Sequence, residues 1–151
     1  MGRPGIQRTM DAVRTAVDSS ALLDVLSGSP QFGPTSREAV RRASAEGSIV
    51  ACDVVWAEVR AHFPSQEEFQ RAMRTLGVAF DPADARCAEV AGEAWSRYRK
   101  RGGRRTRLVP DFLVAGHALV RADRFLTRDR GFTRDYFAGL TVLDPSRSPG
   151  S

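Results

Sequence analysis

Four carboxylates stand where a carboxylate can do chemistry: Asp18 in VDSS, Glu58 in VVWAEV, Asp111 in VPDF and Asp129 in TRDR. No Cys/His cluster with zinc spacing accompanies them, so the set is hard and oxygen-only, suited to Mg²⁺ or Mn²⁺ rather than zinc. Brought within a few ångströms of one another, such groups would repel and titrate as a coupled set. A divalent ion offsets that repulsion and leaves positions for water and a phosphate oxygen. Each acid also has an ordinary reading. Asp18 suits a helix cap and Asp111 suits the dipole of a helix's first turn. Asp129, two residues before Gly131, suits a turn. Glu58 either looks out to solvent or sits within its apolar neighbours, where an unpaired carboxylate would be costly. Only a fold that gathers all four makes them a site.

The elements around them predict such a fold. TAVDSSALLDVLSG reads as a strand at about 14–18 turning into a helix at about 20–27, with Ser19 or Ser20 as cap and Gly28 as stop. A second helix is expected over 35–46, then the strand SIVAC, then the helix VVWAEVRAHF ending at Pro64. SQEEFQRAMRTLG reads as a helix with a Ser cap and acidic first turn, and VAF as a strand. Pro82 is expected to open a long helix ending at Gly102–Gly103, and VPDFLVAGHALVRAD to form another. The strand RFLT, a turn at RDRGF and the strand LTVLD complete the pattern. Short strands alternating with helices predict a three-layer α/β/α sandwich with a short, mostly parallel central sheet. Ligands of such sheets lie outside the carboxyl ends of the strands. Asp18 closes the first strand, Asp129 follows RFLT and Asp111 opens its helix, so three acids share one sheet edge by topology; Glu58 can face the same way.

Directly before Asp111 runs RYRKRGGRRTR, in which Arg97, Arg99, Lys100, Arg101, Arg104, Arg105 and Arg107 are basic. These residues suit a solvated helix end, where cations complement the dipole. Beside an acidic site they also suit contacts to nucleic-acid phosphates, which give affinity and salt dependence but no sequence reading. The net charge of +5 permits a polyanionic partner without requiring one. Trp95, Tyr98 and Phe112 read as core or dimer residues, His117 as a packed histidine in an apolar run, and Asp24 as either solvent-facing or bordering the site.

At 151 residues, 42% hydrophobic and 27% charged, the chain is sized for one globular domain. That domain is expected over 13–145, between a flexible start (1–12) and a frayed tail (146–151). No apolar run approaches the roughly 20 residues that cross a bilayer. The opening MGRPGIQRTMDAVRT has no apolar segment of signal-peptide length, so a cytoplasmic protein with no membrane contact is expected, with Cys52 and Cys87 as reduced, buried thiols.

Taken together, VDSSALLDVL, VVWAEV, VPDFLVAGHAL and FLTRDRGF resemble the PIN-domain family, and most closely the VapC-type toxins of toxin–antitoxin pairs. The similarity spans roughly residues 14–145, and its last two motifs carry the most specificity. It places the four family acids on Asp18, Glu58, Asp111 and Asp129, with hydroxyls at Ser19 and Thr127. Two departures stand out. Gly131 occupies a position that is acidic in many relatives, and Cys52–Asp53 replaces a hydroxyl ahead of the Glu.

The resemblance implies a Mg²⁺-dependent endoribonuclease, with Mn²⁺ as the substitute ion. Asp18 and Asp111 would be direct ligands, Glu58 and Asp129 would bind directly or through water, and Ser19 and Thr127 would hold carboxylates or waters in place. It further implies a cognate antitoxin protein, an RNA substrate and a homodimer, for which the helices SREAVRRA and EEFQRAMRTLG offer candidate contact faces. Two rival readings are a catalytically silent PIN-like RNA-binding module and a haloacid-dehalogenase-type phosphohydrolase. The second requires an acid two residues after its nucleophile, where this chain has Ser20.

Overall fold

Val13–Val17, with β-branched Val13, Thr15 and Val17, forms strand β1, and the chain then turns at Asp18 into helix α1 (Ser19–Ser27), which Gly28 stops with a left-handed φ of 67°. Residues 12–103 and 107–146 are described in a computed structural model of the chain. The remaining elements are α2 (Gly33–Glu46), β2 (Gly47–Ala51), α3 (Asp53–Arg60), α4 (Gln66–Leu76), β3 (Val78–Phe80), α5 (Ala85–Lys100), α6 (Val109–Arg121), β4 (Arg124–Leu126), α7 (Arg130–Tyr136) and β5 (Val142–Leu143). The described strands make one five-stranded sheet, ordered β3-β2-β1-β4-β5, in which every pairing is parallel. With helices on both faces, this is the three-layer sandwich expected from the alternating pattern.

The strand order decides where a ligand can enter. From β1 the chain builds outward to β2 and β3, then returns to lay β4 and β5 on the other side of β1. The crossovers on either side of the β1–β4 pair therefore leave in opposite directions, which opens a crevice at the carboxyl ends of these two strands. Register places Val17 opposite Leu126, so Asp18 and Thr127 emerge side by side at that crevice. The Asp18 amide continues the ladder by donating to the Leu126 carbonyl at 3.0 Å.

The core is made of the inward strand residues Val17, Ile49, Val50 and Leu126 with Leu22, Val55, Val59, Phe69, Met73 and Phe112 from the helices, all buried. The apolar faces of α2 and α4 go into this core through Ala39, Val40 and Ala43, and through Phe69 and Met73. The expectation that these faces would meet a partner is thereby corrected, because the apolar side of each amphipathic helix is already covered by the protein itself.

Two elements differ from the sequence reading for identifiable reasons. The long helix begins at Ala85 rather than Pro82, because the Asp84 carboxylate accepts from the Cys87 amide at 3.0 Å and caps it there. Asp81 instead follows directly on β3, its amide donating to the Ala51 carbonyl at 2.9 Å. RDRGF, expected as a turn, leads into helix α7, whose Phe132 and Tyr136 join an aromatic cluster with Trp95, Tyr98, Phe112 and Phe137. Phe112 and Phe132 meet edge to face at 4.9 Å, and that burial outweighs the helix-breaking tendency of Gly131. Trp95, Tyr98 and Phe112 are thus packing residues, as expected. Cys52 and Cys87 are buried free thiols, also as expected.

Helices α5 and α6 cross closely at Gly116. A Cβ built there would lie 2.8 Å from the Cys87 carbonyl oxygen and 3.3 Å from the Ala91 Cβ. The obstacle is backbone, which cannot rotate away, so Gly116→Val is expected to lower unfolding stability by about 2–3 kcal/mol in a urea titration. A variant as stable as wild type would show that the two helices separate freely. No described helix is long and apolar enough to cross a membrane.

Candidate active site

The crevice at the carboxyl ends of β1 and β4 is lined by Asp18, Glu58, Asp111 and Asp129, together with Ser19, Thr127 and Arg107. All four acids singled out in the sequence therefore reach one cleft, each from a different element. Asp18 comes from the β1–α1 junction, Glu58 from α3, Asp111 from the first turn of α6, and Asp129 from the loop between β4 and α7. Phe125, Val114 and Phe132 supply the apolar part of the wall.

Asp18 is half-buried at this edge, and its side chain makes no cap bond to α1. Asp18 is nevertheless the N-cap residue of α1 by its backbone, one place before the expected Ser19 or Ser20. The fully buried Thr127 hydroxyl donates to Asp18 Oδ2 at 2.8 Å and accepts from the Asp129 amide at 3.1 Å, so one hydroxyl orients the first acid and the backbone of the last. Burial pushes the Asp18 carboxyl above its ordinary pKa. The Thr127 hydroxyl and the Ser19 amide pull it back, and the charges of Glu58 and Asp111 push it up again. Asp18 thus registers the other carboxylates across the cleft.

Asp111 accepts from the Leu108 amide at 2.9 Å through Oδ2 and so caps its own helix, while still lining the cleft. It thus serves its own helix end and lines the cleft at once. Pro110, in the first turn, starts α6 where no amide donor is needed. Glu58 is exposed on α3 and points to solvent across the cleft, which accounts for its tolerance amid Val54, Val55 and Val59. Asp129 is ion-paired with Arg107, whose guanidinium also lies 4.5 Å from the centre of the Phe132 ring. Among the described residues, no three His, Cys, Asp or Glu side chains stand grouped so as to hold a metal ion. The donor set matches a hard divalent cation in type, but its members are held by Thr127, Leu108 and Arg107 rather than closed around one point.

The basic run divides. Arg107 reaches into the cleft. Arg97 is engaged elsewhere, paired with Glu93 at 3.2 Å and donating to the Tyr136 carbonyl at 2.8 Å. Arg101 lies 5.5 Å from the Tyr136 ring, and Arg99 and Lys100 are exposed on the last turn of α5. Arg104 and Arg105 lie outside the described residues.

Two clusters were not anticipated. Asp24 is buried and pairs with Arg128 at 3.0 Å, accepting also from the Ser36 hydroxyl at 3.2 Å, while Arg128 lies 4.0 Å over the Phe32 ring. Asp24 therefore lies outside the cleft, but it anchors the loop residue between Thr127 and Asp129. The second cluster centres on Asp81, which takes Arg121 at 2.7 and 2.9 Å, His117 at 2.8 Å and Arg14 at 2.9 Å. His117 is 1% exposed and occupied with this carboxylate, in keeping with its reading as a packed residue. Nothing in the local sequence marks Asp81 or Arg128, because their partners lie far away along the chain.

A sequence model of the PIN domain matches residues 15–137 of this chain. The chain belongs to the PIN-domain family. The matched span of this PIN domain contains all four cleft carboxylates and Thr127. A search of curated protein sequences found no match. Among solved structures, VapBC2 from Rickettsia felis, bound to a DNA fragment from its promoter, is similar with a TM-score of 0.68 at 15% identity, covering 87% of this chain and 98% of that one. VapBC-1 from nontypeable Haemophilus influenzae gives 0.67 at 17% identity, over 89% and 99%. A toxin–antitoxin complex from Klebsiella pneumoniae gives 0.60 at 21% identity, over 87% and 97%. These likenesses confirm the α/β/α fold of the PIN domain.

Proposed function

We propose that this PIN domain is the toxin of a toxin–antitoxin pair and acts as a divalent-metal-dependent endoribonuclease in the cytoplasm. The observation that carries this reading is the convergence of Asp18, Glu58, Asp111 and Asp129, from four separate elements, on the cleft at the sheet's switch point. A purely structural role would not gather four acids there, since their mutual repulsion opposes folding.

Asp18 and Asp111 are assigned as the principal holders of Mg²⁺, with Mn²⁺ as substitute, and Glu58 and Asp129 complete the set. When bound, the ion activates water and stabilises the charge that builds on a phosphodiester under attack. The protein's own part is positional. Thr127 fixes the Asp18 carboxylate and the Asp129 backbone, Pro110 and the Leu108 amide fix Asp111, and Ser19 stands beside Asp18 as a further hydroxyl. Glu58, exposed across the cleft, or Asp129 would orient the attacking water. Hydrolysis of this kind requires no side-chain nucleophile, because metal-activated water attacks the phosphorus.

RNA is assigned to the cationic surface leading to the cleft. Arg99→Ala combined with Lys100→Ala is expected to weaken RNA binding regardless of sequence and to flatten the slope of log affinity against log salt by about 1.4, the value for two single-strand phosphate contacts. An unchanged slope would remove these residues from the RNA path. The partners are a small antitoxin, as in the VapBC complexes that share the fold, and a second copy of the chain. Controlled expression with and without the neighbouring open reading frame tests the whole reading. Growth arrest with new RNA ends, relieved by the neighbour, is expected. Arrest without new RNA ends contradicts the ribonuclease.

A further inference from the structure

We propose that Arg107 is a built-in counter-cation for Asp129, which a divalent ion must displace before the cleft can work. The inference rests on the reading of the cleft as a metal-dependent site. Arg107 is the one cation among the described residues lining a cleft that also holds four carboxylates. It takes just one of them, Asp129, in a direct ion pair. Both side chains keep about a third of their surface open to water, 32% for Arg107 and 35% for Asp129, so the pair is accessible to exchange. The Phe132 ring lies 4.5 Å from the guanidinium and offers it a cation–π shelf inside the cleft.

The other acids of the cleft leave room for such an exchange. All four line one cleft, yet among the described residues no three of them are closed around a point that would hold an ion. Asp129 is the acid whose carboxylate faces a cation of the chain itself, so entry of an ion has a specific pair to break. Arg107 also lies outside any helix or strand, just ahead of α6, so its departure disturbs no regular element. The protein thereby covers part of its own acidic charge when no ion is bound, and the cation affinity of the cleft is set by competition with Arg107.

The test is a Mn²⁺ titration of the metal-free full chain, reading free Mn²⁺ by electron paramagnetic resonance and therefore independent of cleavage. Arg107→Gln is expected to bind Mn²⁺ about five-fold more tightly than wild type, the scale of a partly exposed ion pair removed from the competition. Arg107→Lys, which keeps the charge, stays near wild type. The decisive arm is the double variant. In an Asp129→Asn background, Arg107→Gln should change Mn²⁺ affinity by less than about two-fold, since the pair is already gone. Equal tightening in both backgrounds would mean a general charge effect and would overturn the proposal, as would an Arg107→Gln affinity equal to wild type. If wild type binds Mn²⁺ and Asp18→Asn weakens it while Arg107→Gln has no effect, the counter-cation alone falls. If no variant shows a Mn²⁺ site that Asp18→Asn weakens, the metal-dependent reading falls with it.

Discussion

Asp18→Asn is expected to lower the proposed RNA cleavage by about a thousand-fold or more, the loss that follows when several kcal/mol of transition-state stabilisation disappears. The same change is expected to stabilise the folded protein. Burial and the charges of Glu58 and Asp111 raise the Asp18 carboxyl above its ordinary range, against the pull of Thr127 and Ser19. A carboxyl raised in the folded state holds its proton more tightly there than in the unfolded chain. Its stabilising contribution is therefore present at low pH and is lost as pH rises through the folded value, so ionised Asp18 is a liability at neutral pH. Asparagine keeps the shape and an acceptor for the Thr127 hydroxyl while removing the charge. In the presence of EDTA, the melting temperature of the variant should rise by about 2–4 °C, the shift that 1 kcal/mol gives a domain of this size. Retained cleavage, or a lowered melting temperature, would show that Asp18 serves the fold rather than the chemistry.

Asp81→Ala carries a large expected loss of stability. It leaves the buried His117 ring without its acceptor and strips Arg121 and Arg14 of their shared carboxylate. Removing one member of a buried charged cluster costs several kcal/mol; with Arg121 and Arg14 both partly open to solvent, the expected loss is about 2–3 kcal/mol in a denaturant titration. The hydrogen bond from Arg121, assisted by those from His117 and Arg14, draws the Asp81 carboxyl well below the usual carboxylate range despite burial. A depressed carboxyl contributes stability that is present above its unfolded pKa and lost as pH falls toward the folded value. Wild-type stability should therefore decline below about pH 4, and the decline should be shallower in Asp81→Ala. Identical acid profiles for the two proteins would show that Asp81 does not set the acid limit of the fold.

The candidate site was legible in the sequence to the extent that its signals are local. An acid at a strand end and an acid after a helix-opening Pro are each written within a few residues, and the alternation of strands and helices then dictates one sheet edge for Asp18, Asp111 and Asp129. What could not be read was pairing at long range. Asp81 and Asp24 each look like solvated acids until the fold brings Arg121 and Arg128 to them. The division of the basic run was equally hidden: Arg97 and Arg107 have similar neighbours in sequence, yet one is tied to Glu93 and the other to Asp129. Helix α7 was missed because Gly131 and its charged neighbours mimic a turn, whereas the decisive force is the burial of Phe132 against Phe112.

These pairings bear on the site itself. Arg128 ties the loop carrying Thr127 and Asp129 to Asp24 on α1, so the last acid is positioned from both sides, by Thr127 within its loop and by Arg128 to the neighbouring helix. The PIN fold supplies the crevice at the β1–β4 switch point, and these contacts set how its acids face one another.

Cleavage of RNA by the four-carboxylate cleft with a divalent ion is tested most directly on the purified full chain. The protein is incubated with total RNA and new RNA ends are mapped, with Mg²⁺, with EDTA and with Asp18→Asn. New ends confined to the wild-type protein with Mg²⁺ are the predicted result. The same ends produced by Asp18→Asn, or in EDTA, would contradict it.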